Sequence, residues 1–173
     1  MLTIRRLVPA DAAAHRALML GAYRDHPEAF TSTFAERAPL PLDWWAARMA
    51  EGEAPVELIV GAFDGTQLAG AAGLAFETRE RLRHKCTLFG MVVDPAARRR
   101  GLGRALVEAV LDEARRRPVL RLMQLTVSEG NTAAEGLYRR CGFERFGAEP
   151  MGTWVDGRYV TKLHLWRLLE PAA

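Results

Sequence analysis

The sequence predicts a single α/β domain of the α+β kind over residues 1–173, with a mixed, mostly antiparallel sheet of about seven strands flanked by about four helices. Three observations carry this reading. Apolar runs on either side of Asp64-Gly65 and of Asp156-Gly157 read as hairpins, which pair neighbouring strands antiparallel. A strand–helix–strand order follows the first hairpin, so the sheet is mixed. A chain of 173 residues suits one compact core and is short for two.

Each element has a local reason. Residues 3–8 alternate as a short strand, and Pro9-Ala10-Asp11 opens a helix to about Leu20. Residues 22–55 are less regular, because Pro27, Pro39, Pro41 and Pro55 break short helical pieces around Phe30, Trp44 and Trp45. Strands over 56–63 and 67–77 flank the first turn, residues 79–85 form a charged loop, and a strand follows over 86–93. A helix over 101–117 carries an apolar stripe of Leu102, Leu106, Ala109 and Val110, with Arg104/Glu108 and Asp112/Arg116 as outer i, i+4 pairs. A strand over 121–127 and a short helix over about 132–141 come next, the helix ending at Gly142 as a left-handed cap. Thr132 and Glu135 have capping-box spacing at its start. Strands over 143–148 and 159–168 close the chain.

Composition sets bounds. Hydrophobic residues make up 49% and charged residues 26%, ordinary globular proportions that argue against disorder. No run of about 18 apolar residues is present, so no membrane partner is expected. The first residues show no apolar signal core, which makes a cytoplasmic location the expectation. Cys86 and Cys141 are too few and too scattered for a disulfide framework or zinc site and read as free thiols. Histidines 15, 26, 84 and 164 lack metal-ligand spacing, so no metal is expected. The net charge of +3 is carried mostly by arginine, whose planar fork suits phosphate oxygens.

The most informative stretch is Met91-Val92-Val93-Asp94-Pro95-Ala96-Ala97-Arg98-Arg99-Arg100-Gly101-Leu102-Gly103-Arg104. An apolar strand ends at Val93, Pro95 turns the chain, and a helix starts near Gly101. Glycines at 101 and 103 leave no side chain over the first helical turn. Its unpaired backbone N–H groups can then approach a diphosphate, aided by the positive end of the helix dipole. A dinucleotide-binding fingerprint fits poorly, because the third glycine and the later acidic residue are missing, and the Gly-Lys-Ser/Thr ending of a nucleotide-triphosphate loop is absent. The bland alternative is a solvated basic turn before an ordinary helix.

Arg98-x-x-Gly101-x-Gly103 after Asp94-Pro95 resembles the coenzyme A-binding motif of the GNAT superfamily of N-acetyltransferases. The resemblance implies that backbone amides of residues 99–104 hold the pyrophosphate and that Met91, Val92 and Val93 pair with the pantetheine arm. A second block, Asn131 through Leu137-Tyr138 to Gly142-Phe143, is similar to that family's next conserved stretch. By position it implies Asn131 as a pantetheine contact and Tyr138 as the general acid toward the departing thiolate. Asn131 and Tyr138 are close to two helical turns apart, roughly 10 Å along the axis, while capping by Asn131 and core packing by Tyr138 are the plainer alternatives. The implied cofactor-binding set is thus Met91, Val92, Val93, Arg98, Arg99, Arg100, Gly101, Leu102, Gly103, Arg104 and Asn131, and Tyr138 is the implied catalytic residue.

The implied function is transfer of an acetyl group from acetyl-CoA to a primary amine by direct attack in a ternary complex. No general base is legible: Thr87 and Thr126 stand where relatives often carry glutamate, and Glu28, Glu77, Glu80 and His26 are alternatives. Trp44, Trp45, Phe30 and Trp154 are candidates to line the acceptor site or to be core. Two rival functions remain open: a non-catalytic coenzyme A-sensing module, and a nucleic-acid binder using Arg98, Arg99, Arg100 and Arg104. No nucleic-acid partner is expected, since the second rival leaves the two glycines without a purpose. A homodimer is an open alternative for the assembly.

Overall fold

The computed structural model describes residues 2–49, 52, 55–98 and 100–169. Strand β1 (Leu2–Arg6) pairs antiparallel with β2 (Glu57–Asp64), which turns at Gly65 into β3 (Gln67–Phe76). Strand β4 (Lys85–Val93) runs antiparallel to β3, and β5 (Leu122–Ser128) lies parallel beside β4. Strands β6 (Glu144–Val155) and β7 (Arg158–Leu168) form the closing hairpin, with β7 inserted next to β5. The seven-stranded order is β1-β2-β3-β4-β5-β7-β6, and β4–β5 is its parallel step.

Helices cover both faces. Helix α1 (Ala12–Asp25) and the short α2 (Phe34–Arg37) and α3 (Leu42–Ala47) lie on one side; α4 (Leu102–Arg115) and α5 (Thr132–Arg140) lie on the other. Strand β2 shows why two cores form. Leu58, Val60 and Ala62 face the α4 core, whereas Ile59 and Phe63 face the α1 core, so a continuous apolar run is buried on both sides. Helix α4 buries Leu102, Leu106, Val107, Val110, Leu111 and Ala114, and each large side chain contributes about 1.5–3 kcal/mol of transfer free energy.

Several expectations shift. Helix α1 runs on to Asp25 rather than stopping near Leu20, and the described residues form five α-helices against the expected four or so. Strand β6 extends to Val155, well past 148, because two register shifts let the irregular exposed stretch around Met151 keep pairing with β7. Asp112 pairs with Arg115 at 2.8 Å and Glu113 with Arg116 at 2.9 Å, so the expected Asp112/Arg116 pair is replaced by i, i+3 partners. The capping box at Thr132 and Glu135 is not formed. The cap lies one residue earlier, where the Asn131 side chain accepts the Ala134 N–H at 3.2 Å. Cys86 and Cys141 are both free and buried. Among the described residues no helix is long and apolar enough to cross a membrane, and no cluster of three metal-ligating side chains occurs.

Candidate active site

The parallel step is short. Strands β4 and β5 pair only through Lys85–Leu122, Cys86–Met123 and Thr87–Gln124, after which they separate while each stays paired on its far side. Separation coincides with a bulge: Ala71 faces Val92 and Gly73 faces Phe89, leaving Ala72 opposite both Gly90 and Met91. Gly90 takes the left-handed conformation that such a bulge uses, with φ 57°. Beyond it, the Asp94 N–H donates to the Ala69 carbonyl at 2.9 Å, which fixes the phase of the pairing with β3. By alternation the amide and carbonyl of Val93 point away from β3, toward the gap.

A cleft of about 1120 Å³ fills that gap. One wall comprises Met91, Val92 and Val93 with Arg98 and the start of α4, at Gly101, Leu102, Gly103 and Arg104. The facing wall is the end of β5 at Ser128 and the start of α5, including Asn131 and Leu137, and the turn around His26, Glu28 and Phe30 closes one side. Four arginines (98, 104, 140 and 158) line it against Glu28 and Glu129, which biases the cleft toward anionic ligands.

The helix mouth is open in the chemical sense. Gly101 is the N-cap of α4, at φ 77°, and provides no side chain to bond the first turn. Intrahelical pairing begins with the Ala105 N–H donating to the Gly101 carbonyl at 3.0 Å, so the amides of Leu102, Gly103 and Arg104 have no carbonyl in the helix. They sit where the dipole is positive, on the wall that also carries Arg98 and Arg104. Arg98 is held over this end, its Nε donating to the Val93 carbonyl at 3.4 Å and its guanidinium lying 3.0 Å from His26 Nε2. Arg100 is drawn elsewhere, into an ion pair with Asp64, and does not line the cleft. Arg99 lies outside the described residues.

Asn131 does two things at once. Its Oδ1 caps α5, which leaves the amide nitrogen for the cleft it lines. Tyr138, by contrast, belongs to the core beneath the α5 wall. It is 5% exposed and packs its ring edge-on against Phe143 at 5.9 Å, while the neighbouring Leu137 faces the cleft. Its hydroxyl has no hydrogen-bond partner among the described residues, yet it is not among the polar atoms sealed from solvent. Burial, with Cys141 adding, pushes the phenol well above its usual range, so it remains protonated.

Of the candidate bases, Thr87 accepts from Gln124 Nε2 at 3.3 Å and Thr126 is exposed on β5, while His26 and Glu28 reach the cleft. Trp44, Trp45 and Phe30 line a second, smaller cavity. Trp154 does not: it is 61% exposed and stacks edge-on with Tyr159.

One element of the cleft was not read from the sequence. Lys162 of β7 is buried and donates to Ser128 Oγ at 2.7 Å, and that hydroxyl donates to the Glu28 carbonyl. This chain fastens the turn at 27–29 across the end of β5. Burial lowers the Lys162 pKa, with Glu149 opposing. A lone lysine within an alternating strand gives little sequence signal for such a role.

Against known proteins, the sequence matches the family described as acetyltransferase (GNAT) over residues 19–143. It is 44% identical over 69 residues to a [ribosomal protein bS18]-alanine N-acetyltransferase of Escherichia coli, covering 40% of this chain and 46% of that protein. It is 33% identical over 148 residues to a mycothiol acetyltransferase of Salinispora tropica, covering 84% of this chain and 46% of that protein. The chain therefore spans about half the length of the curated relatives it matches. Among solved structures, a GNAT-family acetyltransferase from Streptococcus pneumoniae superposes with a TM-score of 0.83 at 26% identity, covering 98% of this chain and 100% of that one.

Proposed function

The chain belongs to the GNAT acetyltransferase family, and from that premise we propose that it transfers an acetyl group from acetyl-coenzyme A to a primary amine in a ternary complex. The observation that carries this reading is the gap between β4 and β5, which runs without interruption into the uncapped mouth of α4. A ligand with a diphosphate at one end and an extended amide-bearing arm matches that shape and its polarity. The free amides of Leu102, Gly103 and Arg104 would take the diphosphate, with Arg98 and Arg104 adding charge. The Val93 N–H, which β5 does not pair, and the Asn131 amide would hold the arm.

The chemistry needs few groups. The amine nitrogen attacks the thioester carbonyl, a C–N bond forms and the C–S bond breaks. Backbone donors of β4 that face the gap would stabilise the developing oxyanion. Tyr138 does not line the cleft, but its hydroxyl is not sealed from solvent; kept protonated by its burial, it would give its proton to the departing thiolate from behind the α5 wall. The amine proton leaves to water, and no carboxylate is assigned to it.

The test is direct. Purified protein should bind acetyl-coenzyme A saturably by calorimetry and release thiol with a suitable amine, and the acceptor should gain the mass of one acetyl group. Absence of saturable binding would end the reading. Binding without thiol release across a broad amine panel would favour a sensing role instead.

A further inference from the structure

The second cavity, of about 180 Å³, lies on the α1 face of the sheet and meets β4 at Phe89 and Gly90, one residue before the cleft begins at Met91. Phe30 lines both cavities. We propose that this cavity is the acceptor pocket and that it selects a small amine carrying a carboxylate, such as a free α-amino acid with an apolar side chain. The assignment of an acceptor rests on the acetyltransferase reading above, while the ligand chemistry is read from the pocket itself.

Four observations lead there. Among the described residues, four buried polar side-chain atoms lack any partner, and three of them belong to residues lining this one cavity: His15 Nδ1, Arg37 Nε and Trp45 Nε1. His15 is 5% exposed and Trp45 2%. The guanidine and indole nitrogens can only donate and lie sealed just behind the cavity surface, so an acceptor such as a carboxylate completes them when the lining side chains shift to admit it.

The charge is also one-sided. His15, Tyr23, Arg37 and Arg48 are the titratable groups on the lining, and no carboxylate is among them. Arg37 has no ion-pair partner among the described residues; it donates to Ser32 Oγ at 2.8 Å and lies over Trp44 at 4.7 Å. Arg48 lies over the same ring at 4.9 Å and is ion-paired with Glu57, which is not on the lining, at 3.2 Å. Burial, reinforced by Arg48, holds His15 neutral with a pKa of about 4, and burial raises the phenol pKa of Tyr23 while Arg37 and Arg48 both oppose that rise. The two arginines therefore act on the same small space.

The remaining lining is aromatic, with Trp44, Trp45, Tyr23, Phe30 and Phe89, which suits an apolar side chain on the ligand. The volume holds on the order of ten non-hydrogen atoms. A protein lysine fits this poorly, because its cation would meet the Arg37 guanidinium, which has no ion-pair partner among the described residues, and no carboxylate on the lining. The same field disfavours an ammonium, so a bound amine loses its proton to water more readily, which accords with the absence of an assigned base.

Intrinsic tryptophan fluorescence offers a readout independent of transfer, since two of the four tryptophans line the pocket. The protein is titrated with each of the twenty free amino acids, and with L-leucinamide and L-phenylalaninamide as uncharged-end counterparts; thiol release with acetyl-coenzyme A is then measured for the same compounds. At least one apolar amino acid should saturate the signal and bind about tenfold or more tighter than its amide. Arg37→Gln should weaken that binding about tenfold and leave acetyl-coenzyme A affinity unchanged, while Arg37→Lys, which keeps the charge and loses the fork, falls between. Equal binding of acid and amide, no saturation by any amino acid, or an Arg37→Gln protein with unaltered acceptor affinity would overturn the proposal. Amino-acid binding in a protein that does not bind acetyl-coenzyme A would keep the pocket and remove the transferase reading.

Discussion

Replacing Tyr138 by Phe separates chemistry from stability, because the structure gives the ring and the hydroxyl different work. The ring is core, edge-on to Phe143 at 5.9 Å, and phenylalanine keeps that contact. The hydroxyl has no hydrogen-bond partner among the described residues, so its loss leaves no orphaned group behind. Folding stability should then change by less than about 1 kcal/mol, and the sign should favour the variant. Transfer is different. A positioned general acid contributes about 10²–10⁴-fold, or roughly 3–5 kcal/mol of barrier. Because burial raises the phenol pKa, the hydroxyl is protonated throughout the working range, and the wild-type rate should show no loss attributable to Tyr138 at neutral or mildly alkaline pH. The assay pairs thiol-release kcat with calorimetric Kd for acetyl-coenzyme A and a thermal melt. A fall in kcat with unchanged Kd and Tm is expected. A Tyr138→Phe enzyme within about threefold of wild type, a range far short of general-acid effects, would refute the role. A lower Tm would show that the hydroxyl has a structural partner.

Three further outcomes follow from named groups. Gly101→Val forces a branched side chain into φ 77°, a strain of about 1–2 kcal/mol, although an added Cβ meets nothing within 4 Å; acetyl-coenzyme A Kd should rise about tenfold as the helix mouth is covered, and an unchanged Kd by calorimetry would detach the mouth from donor binding. His15 titrates at about 4 when folded against 6.5 when free, so the unfolded chain binds the extra proton between those values and stability falls by about 3 kcal/mol as pH drops from about 6.5 to 4. Urea unfolding of wild type and His15→Gln across that window should show the slope in the former alone, beyond what carboxylates add to both. Cys86 and Cys141 are 0% and 2% exposed, and burial pushes the Cys86 thiol up to about 12. Neither should react with a thiol reagent until the protein unfolds, and rapid native labelling would contradict the packing.

What was legible in the sequence divides by range of interaction. Hairpins announced by Asp64-Gly65 and Asp156-Gly157 form at those places because the turn residues themselves supply the left-handed backbone, at φ 63° for Gly65 and 49° for Asp156. The glycine-opened helix was likewise local; Leu102, Leu106 and Val110 of its expected stripe are buried, Ala109 only partly, and Val107, Leu111 and Ala114 widen the buried face. The smaller cavity was not legible, since its walls come from α1, α2, α3, β2, β3 and β4 and depend on packing between them. One local hint existed: Thr33 and Glu36 make a capping box, with both reciprocal bonds formed, and this box sets the helix that presents Arg37. The Tyr138 environment was half legible. Its place two turns after Asn131 was read, but a helical period close to two turns does not say which of two adjacent side chains, Leu137 or Tyr138, meets the cleft.

The bulge at Gly90 shows how one residue joins these two levels. Cys86 and Leu88 face the α4 core, so unbroken alternation would send Gly90 and Val92 to that side and Met91 and Val93 to the other. Instead Met91 and Val93 pack with the α4 core and Val92 with the α1 core. The extra residue inverts the phase of the strand. Before the inversion Phe89 borders the small cationic cavity; after it Val93 turns its backbone toward the large cleft, and its side chain supports the helix whose mouth opens there. Two cavities on opposite faces of a sheet would ordinarily be separated by the thickness of that sheet. Here they border consecutive residues, Gly90 and Met91, and share Phe30 in their linings, beyond the point where β5 stops pairing with β4. A donor held along β4 and an acceptor held against Phe89 could meet there without either crossing the strand.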